Sequence, residues 1–288
     1  MQLKRIQGNF KFGLGLRLGV SFIVSKGCMQ LTISGISVEF SLSKVLRIED
    51  TCNGERMVIS HKYKFIFIKT RKTAGSSIQI YLSELCGEED IVSTIDRPER
   101  PYRPRNYRGL YNPLPELLER NSAGSVMKTL GRFFTLKKFQ SHIKAREVRD
   151  RVPKDVWDGY YKFTVERNPW DKVLSHYHFV RQRYYKYDKN ISFDEYLKTA
   201  DLPYNYKKYT DFEGNILVDR VVRYENLDRE LGEVFGRLGV PFEGSLGAQE
   251  KSHYRKDRRP YQDVYNEEQK SLVAELFSRE INMLGYEF

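Results

Sequence analysis

The sequence predicts an α/β protein: a central parallel sheet flanked by helices, with a small N-terminal antiparallel β extension. Two segments carry the first half of that reading. FIFIKTRKTAGSSIQIYL at 65–82 and FTVERNPWDKVLSHYHF at 163–179 each run from an apolar strand through a short polar loop into a helix. Strands that alternate with helices define parallel sheets, because each crossover needs a helix-sized connection. The third observation is a change of period. Phe12, Leu14, Leu16, Leu18, Val20, Phe22 and Val24 recur at every second position, and so do Ile36, Val38, Phe40 and Leu42. That is the period of a half-buried strand. Lys26-Gly27 and Ser34-Gly35 supply the turns. The expected division is therefore a β-rich extension over 1–60 and an α/β domain over 61–288.

From Tyr63 onward each element has a local cause. Phe65–Lys69 is a strand by its apolar run, and Ser76–Leu85 a helix with Ile78, Tyr81, Leu82 and Leu85 on one face. Residues 97–108, RPERPYRPRNYR, carry five Arg and three Pro. Proline at that density forbids a helix, so an extended basic loop is expected. Short helices follow over 113–122 and 125–135, and another over Ser141–Arg151 before Pro153. Tyr160–Glu166 reads as a strand. Pro169 suits the first turn of the next helix, where its missing N–H is harmless. Val173, Tyr177 and Val180 give that helix its buried stripe. Ile216–Arg223 is a further strand, and Leu227–Leu238 a helix stopped by Gly239. Glu267–Leu284 is the last helix, ending near Gly285.

Composition narrows the partners. The 288 residues have a formal net charge of +11, which favours anionic ligands. No apolar stretch reaches the roughly 18 residues of a membrane-spanning helix, and Arg17 and repeated glycines interrupt any signal-peptide core. Cys28, Cys52 and Cys86 are odd in number and lack metal-ligand spacing. They fit a reducing compartment, so a soluble intracellular, cytoplasmic protein is expected.

The two strand–loop–helix segments point to the ligand. A helix N-terminus presents unpaired N–H groups and the positive end of the helix dipole, which together bind anions. Two such elements in a basic chain predict a ligand with two phosphate-like groups. The loop KTRKTAGSS at 69–77 is not a Walker A loop, since the order G-x-x-x-x-G-K-[ST] is absent.

Residues 72–77, KTAGSS, resemble the phosphosulfate-binding loop of sulfotransferases that use 3′-phosphoadenosine 5′-phosphosulfate (PAPS), in their carbohydrate-type and bacterial branch. That loop typically reads PKTAG[TS]S, and Arg71 replaces its proline here. Arg167 and Ser175, within RNPWDKVLS, match the same family's 3′-phosphate element. VVRYENL at 221–227 and the closing segment HYRKDRRPYQDVY also resemble the family. The likeness covers residues 63–288. It implies a P-loop-like phosphosulfate loop at the end of the first strand of the domain. It also implies sulfuryl transfer from PAPS to a hydroxyl acceptor, a carbohydrate or glycan, releasing adenosine 3′,5′-bisphosphate without a metal.

The resemblance assigns donor binding to Arg71, Lys72, Thr73, Ala74, Gly75, Ser76 and Ser77, with Arg167, Ser175, Arg255 and Arg258 at the 3′-phosphate end. Lys72 is the donor to the bridging oxygen. His142 is the expected base, since an imidazole titrates near neutral pH and similar enzymes carry a His in a comparable segment. Glu166 is the carboxylate alternative, but it points to the opposite strand face from Arg167. Two other functions stay open: a basic nucleic-acid binder, which lacks a helix-turn-helix, RNP-like or zinc pattern, and a non-catalytic nucleotide or sulfate binder.

Overall fold

The computed structural model describes residues 4–11, 17–25, 28–33, 36–41, 57–95, 101–119, 123–139, 143–183, 189–247 and 259–288. The chain divides into two compact units, Met1–Thr51 with Leu110–Lys137, and Cys52–Gly109 with Lys138–Phe288.

In the first unit, β1 (Lys4–Lys11), β2 (Arg17–Ser25), β3 (Cys28–Ile33) and β4 (Ile36–Ser41) form an antiparallel sheet in chain order. The register sets Phe22 opposite Leu31 and Val24 opposite Met29. A meander of this kind follows from the two-residue period and short turns of the sequence. The unit also holds the helices Leu114–Leu118 and Ala123–Phe134.

The second unit is built on a mixed five-stranded sheet of order β7-β5-β6-β8-β9. Its strands are β5 (Met57–Ser60), β6 (Phe65–Ile68), β7 (Ile91–Val92), β8 (Tyr161–Glu166) and β9 (Arg220–Arg223). β6, β8 and β9 pair in parallel, while β5 runs antiparallel to both β6 and β7. Four strands thus share one direction and β5 opposes them. β5 lies inside the stretch expected to belong to the N-terminal extension. Its residues Met57, Val58 and Ile59 are all buried, with Val58 opposite Phe67. A continuous apolar run is the signature of a strand covered on both faces, not of the alternating meander before it.

Side chains alternate across the sheet as the strand period demands. Val58, Phe65, Phe67, Phe163, Val165 and Val222 pack with Ile78 and Leu82 of helix Gly75–Leu85 and with Leu231, Val234 and Phe235 of helix Leu227–Leu238. Met57, Ile59, Ile66 and Ile68 face the other way, against Phe139, Val148, Trp157 and Tyr209. A third cluster joins helix Pro169–Arg183 to the C-terminal helices through Val173, Val180, Tyr196 and Phe277. The last helix breaks at Phe277 into Glu267–Leu276 and Ser278–Leu284. Gly239 (φ 67) and Gly285 (φ 61) end their helices in the left-handed conformation that glycine adopts without strain. The strand expected over 216–223 is confined to β9, and Ile216 makes only an isolated bridge to Thr210.

The basic loop 97–108 has a structural task over its described part. Arg105 pairs with Val92 through both backbone groups. Its guanidinium donates to the carbonyls of Ser83, Cys86 and Gly87, capping helix Gly75–Leu85 at its C-terminus.

Asp90 organises the turn between β5 and β6. Its carboxylate accepts from the N–H groups of His61 (2.6 Å), Lys62 (3.3 Å) and Gly87 (2.8 Å) and from the Ser60 hydroxyl (3.0 Å). Burial alone would raise this carboxyl; the hydrogen bonds outweigh it and hold it below its ordinary value of 3.8. A depressed carboxyl contributes stability that is present above its ordinary value and lost as pH falls through the lower folded-state value. Asp90→Ala is expected to lower stability by roughly 3 kcal/mol at pH 7, because it leaves the buried Ser60 hydroxyl and three main-chain N–H groups without their acceptor. The gap to the unaltered protein should narrow as the pH is lowered below 3.8. Urea midpoints across that range decide it; a gap independent of pH would show that the charge is unimportant. The neighbouring Cys86 thiol is pushed up to about 12 by burial, with Asp90 adding to it, so it is a packed thiol and not a nucleophile.

Candidate functional site

β6 and β8 are parallel neighbours, with Ile68 in register with Thr164. Their carboxyl ends therefore open side by side, the place where open α/β sheets bind ligands. The loop after β6 carries Lys72, and the loop after β8 carries Arg167. The two meet directly: Arg167 Nη1 donates to the Lys72 carbonyl at 3.2 Å.

The first loop is shaped by two left-handed residues, Lys72 (φ 62) and Ala74 (φ 56). Helix Gly75–Leu85 starts from Ala74 as its N-cap. Its first intrahelical bond runs from the Ile78 N–H to the Ala74 carbonyl at 3.1 Å. The N–H groups of 75–77 precede that bond, and alanine has no side-chain oxygen to cap them. Gly75 is needed for packing. A Cβ there would stand 2.6 Å from Lys69 Cγ and 2.8 Å from Lys69 Cε. The buried Lys69 stem runs under the glycine, and its Nζ donates to Ser76 Oγ at 2.9 Å.

Not every loop side chain faces outward. The Thr73 hydroxyl is buried, 2.8 Å from Thr70 Oγ1, and the Thr70 hydroxyl donates to the Val165 carbonyl. These hydroxyls tie the loop to β8, so any ligand contact of Thr73 would fall to its backbone. Ser77 is buried, whereas Ser76 is half-buried. The Arg71 side chain has partners outside the loop. Its guanidinium donates to Asp201 Oδ2 (3.2 Å) and the Leu202 carbonyl (3.2 Å), and lies 3.0 Å from His176 Nε2. His176 is itself buried and 2.7 Å from the Tyr196 hydroxyl, a packing position. Lys72 extends over the Phe179 ring at 4.3 Å, which carries the ammonium toward helix Pro169–Arg183.

Arg167 is held on three sides. Nε and Nη2 both donate to Asp171 Oδ2, at 2.9 and 2.6 Å. Nη1 takes the Lys72 carbonyl, and the guanidinium lies over the Tyr224 ring at 4.1 Å. An anion arriving here must share this fork with the Asp171 carboxylate. Ser175, half-buried, lies on the same helix face as Asp171, one turn further on.

Behind the two loops sits a buried ionic cluster. Glu166 and Lys172 are both fully buried, with Lys172 Nζ 2.8 Å from Glu166 Oε1. Glu166 also accepts from the Arg167 N–H (3.0 Å), Asn205 Nδ2 (3.1 Å) and the Tyr209 hydroxyl (3.1 Å). With its oxygens so engaged, Glu166 is a scaffold group and not a base. Glu280 lies 4.0 Å from Lys172. Burial raises its carboxyl, Lys172 opposes this and Glu166 adds to it. Lys208, beside Tyr209, is pushed down to about 7 by burial. Residues 203–209, PYNYKKY, mix aromatic and cationic side chains, and all but Lys207 are buried or half-buried.

His142, Arg255 and Arg258 lie outside the described residues. The residues that the sequence reading missed are Asp171, Lys172, Asn205, Tyr209 and Glu280. Only Asp171 had a local signal, its i,i+4 spacing from Arg167.

The fold is mixed α/β, with two adjacent strand ends carrying cations. No family model matches the chain, and no solved structure matches it. An uncharacterized protein of Archaeoglobus fulgidus is 39% identical over 102 residues, covering 33% of this chain and 82% of that protein. The chain belongs to one family with that archaeal protein. Among the described residues no helix is long and apolar enough to cross a membrane.

Proposed function

We propose that the protein is a PAPS-dependent sulfotransferase acting on a hydroxyl of a carbohydrate or other acceptor. The observation that carries this reading is the 3.2 Å hydrogen bond between Arg167 and the Lys72 carbonyl. It joins the two motifs of the sequence resemblance at neighbouring strand ends. The helix N-terminus at 74–77 would hold the 5′-phosphosulfate through backbone N–H groups in a P-loop-like manner. Arg167 and Ser175 would take the 3′-phosphate, and Lys72 would stabilise charge on the bridging oxygen. As the acceptor oxygen bonds to sulfur, the bond from sulfur to the bridging oxygen breaks. The acceptor proton passes to the base, for which His142 is proposed. The chain's part is positioning and charge stabilisation, as in phosphoryl transfer.

Titration calorimetry with adenosine 3′,5′-bisphosphate tests the nucleotide site. Binding in the micromolar range is expected. Transfer of labelled sulfate from PAPS to a glycan panel then tests the reaction. An inability to bind the bisphosphate would remove the reading altogether. Binding without transfer to any hydroxyl acceptor would leave a nucleotide binder.

A further inference from the structure

One buried amide stands directly behind both site cations. Asn205 is fully buried. Its Oδ1 accepts from the Arg71 N–H at 2.9 Å. Its Nδ2 donates to the Arg71 carbonyl and to Glu166 Oε1, both at 3.1 Å. Both amide protons and the amide oxygen are thus engaged. Arg71 immediately precedes Lys72, and Glu166 immediately precedes Arg167. Glu166 Oε1 also accepts the Arg167 N–H at 3.0 Å. Two buried side chains, Asn205 and Glu166, thus link the backbone beside one cation to the backbone of the other, in addition to the direct bond from Arg167 to the Lys72 carbonyl. The Arg71 guanidinium grips the same segment at Asp201 and Leu202, so residue 71 is held by main chain and side chain together.

We infer that Asn205 is a positioning residue: it sets the separation of Lys72 and Arg167, and so makes the site select nucleotides phosphorylated at both ends over those with one phosphate. The inference rests on the nucleotide reading above. A ligand that engages two cations at once gains from the second contact only when the two are pre-spaced. Loosening the clip removes that gain. A ligand with one phosphate meets one cation and is nearly indifferent to the spacing. A purely structural Asn205 would instead lower stability and weaken both ligands in proportion.

The test is calorimetric titration of the full chain with adenosine 3′,5′-bisphosphate and with adenosine 5′-monophosphate, before and after Asn205→Ser. The ratio of the two affinities should fall about tenfold or more, while the monophosphate Kd stays within about threefold. An unchanged ratio overturns the inference, whatever happens to the melting temperature. Should the serine variant not fold, Asn205→Ala is read in the same way. If the unaltered chain binds neither nucleotide, the nucleotide reading falls and takes this inference with it. If it binds both and the ratio survives substitution, the inference alone falls.

Discussion

Lys172→Met is expected to destabilise the protein by about 3–5 kcal/mol, the range for removing one member of a buried ion pair. Lys172 is the ammonium that faces both Glu166 (2.8 Å) and Glu280 (4.0 Å), and all three side chains are fully buried. Without it, the Glu166 charge is left among neutral donors, and Glu280 loses the group that opposes its burial. A carboxyl whose folded-state value is raised favours the fold at low pH and loses that contribution as pH rises. The variant's deficit should therefore be smaller at pH 5 than at pH 8. Adding Glu166→Gln should recover more than half of the loss, since replacing both members of a buried pair is often close to neutral. Denaturant midpoints of the single and double variants measure this. A methionine variant as stable as the unaltered chain would mean that the cluster is not the support it looks to be.

Arg167→Ala should weaken adenosine 3′,5′-bisphosphate binding by roughly 100-fold, the loss of a charge-assisted contact of about 3 kcal/mol. Adenosine 5′-monophosphate should lose less than about threefold, because it has no phosphate at that end. Arg167→Lys should restore charge but not the fork, and so recover only part of the affinity. The substitution also removes the bonds to Asp171 and the Lys72 carbonyl, so stability must be followed beside binding. Equal losses for the two nucleotides would place the arginine's role in scaffolding alone. The same comparison reads Asp171. Its carboxylate already occupies the Nε–Nη2 edge, which makes Arg167 pre-oriented and partly neutralised before any phosphate arrives.

Much of the large unit was legible from short windows. The strand–loop–helix run at 65–82 appears as β6, a loop with two left-handed residues and helix Gly75–Leu85. Pro169 begins its helix, and Gly239 and Gly285 end theirs, because these residues act through their own backbone. The boundary near residue 60 was harder. Met57–Ile59 is too short to show a period, and its place in the sheet depends on pairing with Phe67 and Ile68. The single helix expected over 267–284 was equally opaque. Its apolar period continues through Phe277, where the backbone breaks between two helices.

Of the candidate site, local sequence was enough for the two cation-bearing loops, for Gly75 at the start of the first helix, and for the basic character of the chain. These rest on residues close together in the chain, so local sterics and helix-end chemistry suffice. Three features depended on the folded chain: that Arg71 bonds to Asp201 and Leu202, that Glu166 is buried, and that Asn205 bonds to both Arg71 and Glu166. Arg71 and Asn205 lie 134 positions apart. No local pattern relates such residues. Their contact exists because β6 and β8 align in parallel and the later chain folds back behind them. Once enclosed there, each polar atom must find a partner or destabilise the fold.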